Sequence, residues 1–265
     1  VIHVCVACGT SYQSDELPPD RCAICDDERQ YVPRAGQQWT NREAIAVRHS
    51  NSWREHVPGL FGIVTTPRFA IGQRAFLLTT PAGNILWDCI ANLDAATRKL
   101  IEGLGGIDAI AVSHPHYYTT MQDWSDAFGA PVYIHDADRQ WVMRDRAAIQ
   151  FWNDDSLTLL PGVRLIHLGG HFAGGTVLHW EKHDGTLLVG DIIQITPGAD
   201  RISFMWSYPN MLPLAGGTVK MMTERIGRID FDRMYGAFEG QDMETDAKDI
   251  TFRSANRYLK CIEEA

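Results

Sequence analysis

The chain has no apolar run long enough to span a bilayer, so its 265 residues predict no membrane segment. It has no basic cluster either. With 24 Lys+Arg against 33 Asp+Glu the formal net charge is -9, which argues against nucleic acid as a partner. There is no internal repeat and no low-complexity stretch, and the opening Val1-Ile2-His3-Val4 is too short to be the apolar core of a secretion signal. Cysteine is scarce, at six residues, yet four of them fall into two CxxC pairs. That usage suits a reducing compartment better than a disulfide framework. The expectation is a cytoplasmic protein with a small molecule, not nucleic acid or a membrane, as its partner, built as one main domain plus a small module, with homo- or hetero-oligomerisation left open.

What is present begins with those pairs. Cys5-Val6-Ala7-Cys8 and Cys22-Ala23-Ile24-Cys25 stand thirteen residues apart. At this cysteine content even one CxxC is expected only about 0.1 times per chain, so two together carry weight. Four thiolates fit around one tetrahedral zinc, with iron as the alternative metal. A redox dithiol is the competing reading, and no βαβ context surrounds either pair to support it. A segment of about thirty residues cannot fold on an apolar core alone, so the metal is expected to be structural. Residues 1–35 resemble a zinc ribbon or rubredoxin-like knuckle pair. The main domain is expected over 36–265, with 36–58 as a connector holding a short helix near 41–47. Cys89 and Cys261 have no sequence partner.

The second signal is Ser113-His114-Pro115-His116, which closes the apolar run Ile107 to Val112. Side chains on a strand repeat every second residue, so the two imidazoles can leave on one side and share a metal. An HxH pattern arises by chance about 0.4 times in such a chain and needs corroboration. His171 supplies some, in Leu168-Gly169-Gly170-His171, where glycines let the backbone approach an ion closely; a plain glycine turn is the alternative. The apolar strand Thr186 to Gly190 then ends on Asp191, which is either a helix N-cap or a metal ligand.

In this order the three segments resemble the metallo-β-lactamase fold superfamily of metallohydrolases, over roughly residues 58 to 262. The resemblance implies a four-layer αββα sandwich of mixed α/β (α+β) class. His114, His116 and His171 match the ligands of the first metal site, and Asp191 matches the carboxylate that usually bridges two metals. The superfamily's motif runs H-x-H-x-D-H, whereas here Tyr118 stands in place of the aspartate and Thr119 in place of the last histidine. No histidine follows the final strand near Asp232 to Phe238, so a second metal site is not expected. A single ion would then activate water, zinc first, with iron or manganese as alternatives. Asp191 is the candidate to orient that water. Tyr118 is a candidate hydrogen-bond donor, though a poor base because an ordinary phenol titrates near 10. The function this implies is a hydrolase for an ester, thioester, lactone or activated aryl ether of apolar or aromatic character. A mononuclear iron dioxygenase of the persulfide-dioxygenase type, and a non-catalytic subunit with a partial site, are the alternatives.

Patterning fills in the rest. Strands are expected at Phe61 to Thr65, Phe69 to Ile71, Arg74 to Thr79, Asn84 to Asp88, Pro131 to His135 and Val163 to Leu168. Helices are expected from Asp94 to Leu104, Met121 to Phe128, Thr218 to Ile226 and Glu244 to Ile262. Tyr117, Phe172, Trp206 and Tyr208 lie near the proposed ligands in sequence and are candidate substrate contacts. The long irregular stretch 192–214 suits a pocket wall. Asp88 is a candidate carboxylate partner for a metal-bound histidine.

Overall fold

The computed structural model describes residues 1–144 and 148–263, leaving 145–147 and 264–265 of the expected 36–265 domain outside the described residues. Two sheets lie face to face. The first runs in spatial order Ile149–Trp152, Val132–His135, Ala109–Ala111, Gly83–Trp87, Arg74–Thr80, Leu60–Thr66 and Ser50–Val57. The second runs Ser156–Leu160, Val163–His167, Thr176–Trp180, Thr186–Gly190, Arg233–Gly236 and Asp242–Met243.

Strand alternation sorts the apolar residues into layers. Phe76, Leu78, Ile85 and Trp87 of the first sheet meet Leu165, Leu178 and Leu188 of the second. Leu77, Leu86 and Ile110 point the other way, into a layer with Ile101, Met121 and Trp124 from helices Ala95–Gly103 and Met121–Phe128. Val177, Leu187 and Val189 likewise meet Val219, Met222 and Ala255 from helices Gly216–Ile226 and Ala247–Glu263. Both faces of both sheets are therefore covered, which explains the near-continuous apolar runs of the central strands. The result is the expected αββα sandwich. Helix starts follow the caps in the sequence: Asp94 accepts from Thr97 N at 2.7 Å and Asn41 from Ala44 N at 2.8 Å.

Several local expectations differ. Residues 36–58, read as a connector, hold the helix Arg42–Arg48 and the eight-residue strand Ser50–Val57. That strand is polar because it is an edge, exposed along much of its length. Phe69 to Ile71 is a loop, not a strand. Strands Ile149–Trp152 and Ser156–Leu160 add an outer strand to each sheet and were not anticipated.

The cysteine-rich module is a small sheet of Ile2–Cys5 between Ser11–Gln13 and Trp39–Thr40, so it extends past residue 35. It docks on the sandwich through Ser11, whose N and Oγ both donate to Thr119 O at 2.9 and 2.6 Å. Half-buried Arg144 donates to Ser11 Oγ at 3.1 Å and pairs with Asp123 at 2.8 Å. Among the described residues, no helix is long and apolar enough to cross a membrane.

Candidate metal centre

Four cysteines and, separately, three histidines with one aspartate each bring their ligand atoms within 4.8 Å of one another, all buried. In the module, Cys5 and Cys25 Sγ are 3.6 Å apart and Cys8 and Cys22 Sγ 3.5 Å. Sulfurs around a tetrahedral zinc with bonds of about 2.3 Å stand about 3.8 Å apart, so the cluster fits such an ion. Gln37 Nε2 donates to Cys5 Sγ at 3.1 Å and Tyr12 Oη to Cys22 Sγ at 3.3 Å, the contacts that bound thiolates accept.

The second group assembles at the ends of strands Ala109–Ala111, Val163–His167 and Thr186–Gly190. The histidine pair does not rest on strand alternation as expected, because the strand has ended at Ala111. His114 is extended, and the 3-10 turn Pro115–Tyr117 swings His116 round beside it, with ring centroids 5.1 Å apart. The same turn drops Tyr118 into the apolar layer under the first sheet, where its hydroxyl has no hydrogen-bond partner. Tyr117, not Tyr118, packs against His114, at 5.4 Å between ring centroids.

A backbone hydrogen bond fixes the tautomer of one of the three imidazoles. His171 Nδ1–H donates to Met205 O at 3.1 Å, leaving Nε2 without a proton and facing His116 Nδ1 at 3.2 Å. His114 Nδ1 meets Ser113 Oγ at 2.8 Å, which turns Nε2 toward Asp191 Oδ2 at 3.8 Å. His114 Nε2 and Asp191 Oδ1 are buried and have no partner. Imidazole nitrogens converging within 4.8 Å beside an unpartnered carboxylate oxygen are what a cation would satisfy, so these residues fit one metal ion. Burial keeps all three imidazoles neutral, the ligating form, with His171 brought down to about 4. Burial also pushes Asp191 up to about 7, against the opposing pull of Gln73.

The supporting shell adds one residue the sequence did not single out, Gln73, to Tyr208, Asp88 and Thr119. Gln73 Nε2 donates to Asp191 Oδ2 at 2.7 Å, and Tyr208 Oη donates to Asp191 O at 2.6 Å. Asp88, proposed as a direct histidine partner, instead accepts from Ser113 N at 2.7 Å and reaches His114 only through that serine. A side chain on Gly190 would lie 2.8 Å from Ser113 Oγ and 3.2 Å from Asp88 Oδ2, so the residue before Asp191 has to be glycine. Thr119, at the position of the missing histidine, donates its hydroxyl to Cys89 O at 3.0 Å.

His116 and Asp191 open onto a cleft of about 200 Å³. Tyr208, Ile71 and Phe238 form part of its wall, and Arg29, Gln30 and Tyr31 reach it from just beyond the second CxxC pair. Arg29 is buried, chelated by Asp27, and stacks on Phe172 at 3.9 Å and on Trp206 at 4.4 Å. Of the four proposed substrate contacts only Tyr208 lines this cleft. Tyr117 and Phe172 are buried behind the imidazoles, and Trp206 donates to Glu28 at 2.7 Å and bears on Arg29. The stretch 192–214 contributes Tyr208 and Pro209 to the wall, while Phe204 belongs to the core. Glu239 is exposed. Nothing in the sequence pattern marks Gln73; Arg29 and Tyr31 were signalled only by their closeness to Cys25.

No family model matches the chain. It is similar in fold to the DIM-1 metallo-β-lactamase, with a TM-score of 0.59 over 80% of this chain and 98% of that one, at 10% identity. A B3 metallo-β-lactamase described as having an active-site glutamic acid aligns at a TM-score of 0.53 and 14% identity, over 90% of this chain and 99% of that one. In sequence it is 43% identical to the uncharacterized protein YmaE of Bacillus subtilis (strain 168), across 98% of this chain and 96% of that protein. Likeness of that extent and depth, on this architecture, makes the chain a member of the YmaE family, with the metallo-β-lactamase fold.

Proposed function

We propose that the protein is a metal-dependent hydrolase working with one ion at His114, His116, His171 and Asp191. The observation that carries the reading is the convergence of four buried ligand groups beside a cleft that His116 and Asp191 line. When bound, the ion supplies Lewis acidity and brings a bound water's pKa to about 7. The chain's own residues do the rest. Gln73 holds Asp191 Oδ2 and with it the orientation of the carboxylate, which orients the attacking water and takes its proton. His171, clamped by the Met205 carbonyl, keeps its ring in the ligating tautomer.

At about 200 Å³ the cleft suits a small substrate, below the roughly 300–1,000 Å³ of sites for drug-sized ligands. Ile71, Phe238 and Tyr208 suit an apolar or aromatic ester, thioester or lactone. Tyr118, sunk in the core, takes no part in this scheme. The cysteine module keeps a structural ion and supplies the Arg29–Tyr31 side of the cleft.

The test is elemental analysis of protein purified without added metal, followed by a panel of esters, thioesters, lactones and aryl ethers. The reading expects zinc in both groups and turnover that disappears with His171→Ala. Iron at the histidine group with oxygen consumption would transfer the assignment to a dioxygenase, and metal in the cysteines alone would make the chain non-catalytic.

A further inference from the structure

A second cavity has a different chemistry. It measures about 180 Å³ and lies at the margin of the second sheet, beside strand Val163–His167 and the end of helix Gly216–Ile226. Arg164, Arg225, Arg228, His167 and Ser156 line it, with Asp155 as its one acid. None of them lines the cleft at His116 and Asp191. Three guanidiniums against one carboxylate is a local excess of positive charge on a chain whose net charge is -9.

The donors are only partly used. Arg225 Nη1 is held by His167, at 3.1 Å from Nδ1 and 3.0 Å from O, and its nearest approach to Asp155 is 3.7 Å. Asp155 is 83% exposed in its side chain, so water screens that pair. Arg164 Nε is buried without a hydrogen-bond partner. Among the described residues neither Arg164 nor Arg228 has an ion pair. A buried donor left open beside two further guanidiniums calls for an acceptor from outside the chain. Guanidinium forks match the oxygens of a phosphate, and the excess charge matches a dianion better than a single carboxylate.

We propose that this cavity binds a phosphate or phosphomonoester dianion at a site separate from the metal centre. Arg164 and Arg228 grip it, while Arg225 is pre-set by His167. The His167 ring is fixed at its other end by donating Nε2–H to Ala173 O at 2.8 Å, two residues beyond His171. The site therefore backs onto the loop that carries a metal ligand, without sharing any lining residue with the cleft.

Calorimetric titration of the whole protein with inorganic phosphate tests this. Saturable binding of one phosphate is expected, weakened at least about tenfold by Arg228→Glu and by Arg164→Ala. Arg228 is exposed, so its variant should melt like the parent when phosphate is absent. Arg201→Glu, in another arginine-bearing hollow, should leave the affinity unchanged. Glycerol phosphate binding as tightly as phosphate would assign a phosphomonoester; binding of inorganic phosphate alone would assign the free ion. No saturable heat, or binding that survives Arg228→Glu but vanishes with His171→Ala, would overturn the proposal.

Discussion

The two ligand groups have the same number of members, the same burial and the same compactness, yet they differ in what they leave undone. The cysteine group spans residues 5 to 25, and its sulfurs contact one another, Tyr12 and Gln37. The histidine group is drawn from three loops between residues 114 and 191, and its ligand atoms His114 Nε2 and Asp191 Oδ1 stay unpartnered beside a cleft. A closed set of ligands holds structure, and an open one leaves room for a reacting molecule. The two are also not independent, because Arg29 links them: it leaves the module, stacks on Phe172 and approaches His171 O at 3.4 Å.

Substitutions can break this comparison at either end. The largest effect is expected from Cys22→Ser. Structural zinc in small peptides is worth about 10–16 kcal/mol of folding free energy, so calorimetry should show the deepest loss of stability, and the cleft loses one wall. A protein that melts like the parent would make the module dispensable. Next comes His171→Ala, which should abolish metal at the histidine group and all hydrolysis while the cysteines keep their ion; elemental analysis reads both.

Gln73→Leu sharpens the comparison at the supporting shell. Removing the donor to Asp191 Oδ2 should weaken metal binding by about 10–100-fold, measured by chelator competition. Unchanged affinity would mean that the amide does not position the carboxylate. Tyr118→Phe should do least. The hydroxyl it removes is buried and unpartnered, so stability should hold or rise slightly and turnover should stay within about twofold. A large fall in turnover would return Tyr118 to the catalytic machinery.

Legibility in the sequence followed the range of the interactions involved. The cysteines were plain because a tetrahedral site built from two knuckles needs a short, fixed spacing. His114, His116, His171 and Asp191 were legible from apolar strands that stop at a ligand. Their supports were not, since Gln73 meets Asp191 across 118 residues and leaves no local pattern. Strand Ser50–Val57 escaped because an edge strand needs no apolar alternation. Tyr118 was misread for a local reason: the 3-10 turn after His114 redirects the chain, and spacing alone does not reveal which way. The central strands and covering helices were readable because burial on both faces imposes long apolar runs, as in Thr186–Gly190.

The central claim is one open ion at the histidine group beside one closed ion in the module. Titrating chelator-stripped protein with cobalt while recording its absorbance tests it most directly. One ion with sulfur-to-metal charge transfer and one ion without it are expected, the latter lost in His171→Ala. A second cobalt held at the histidine group, or none there at all, would contradict it.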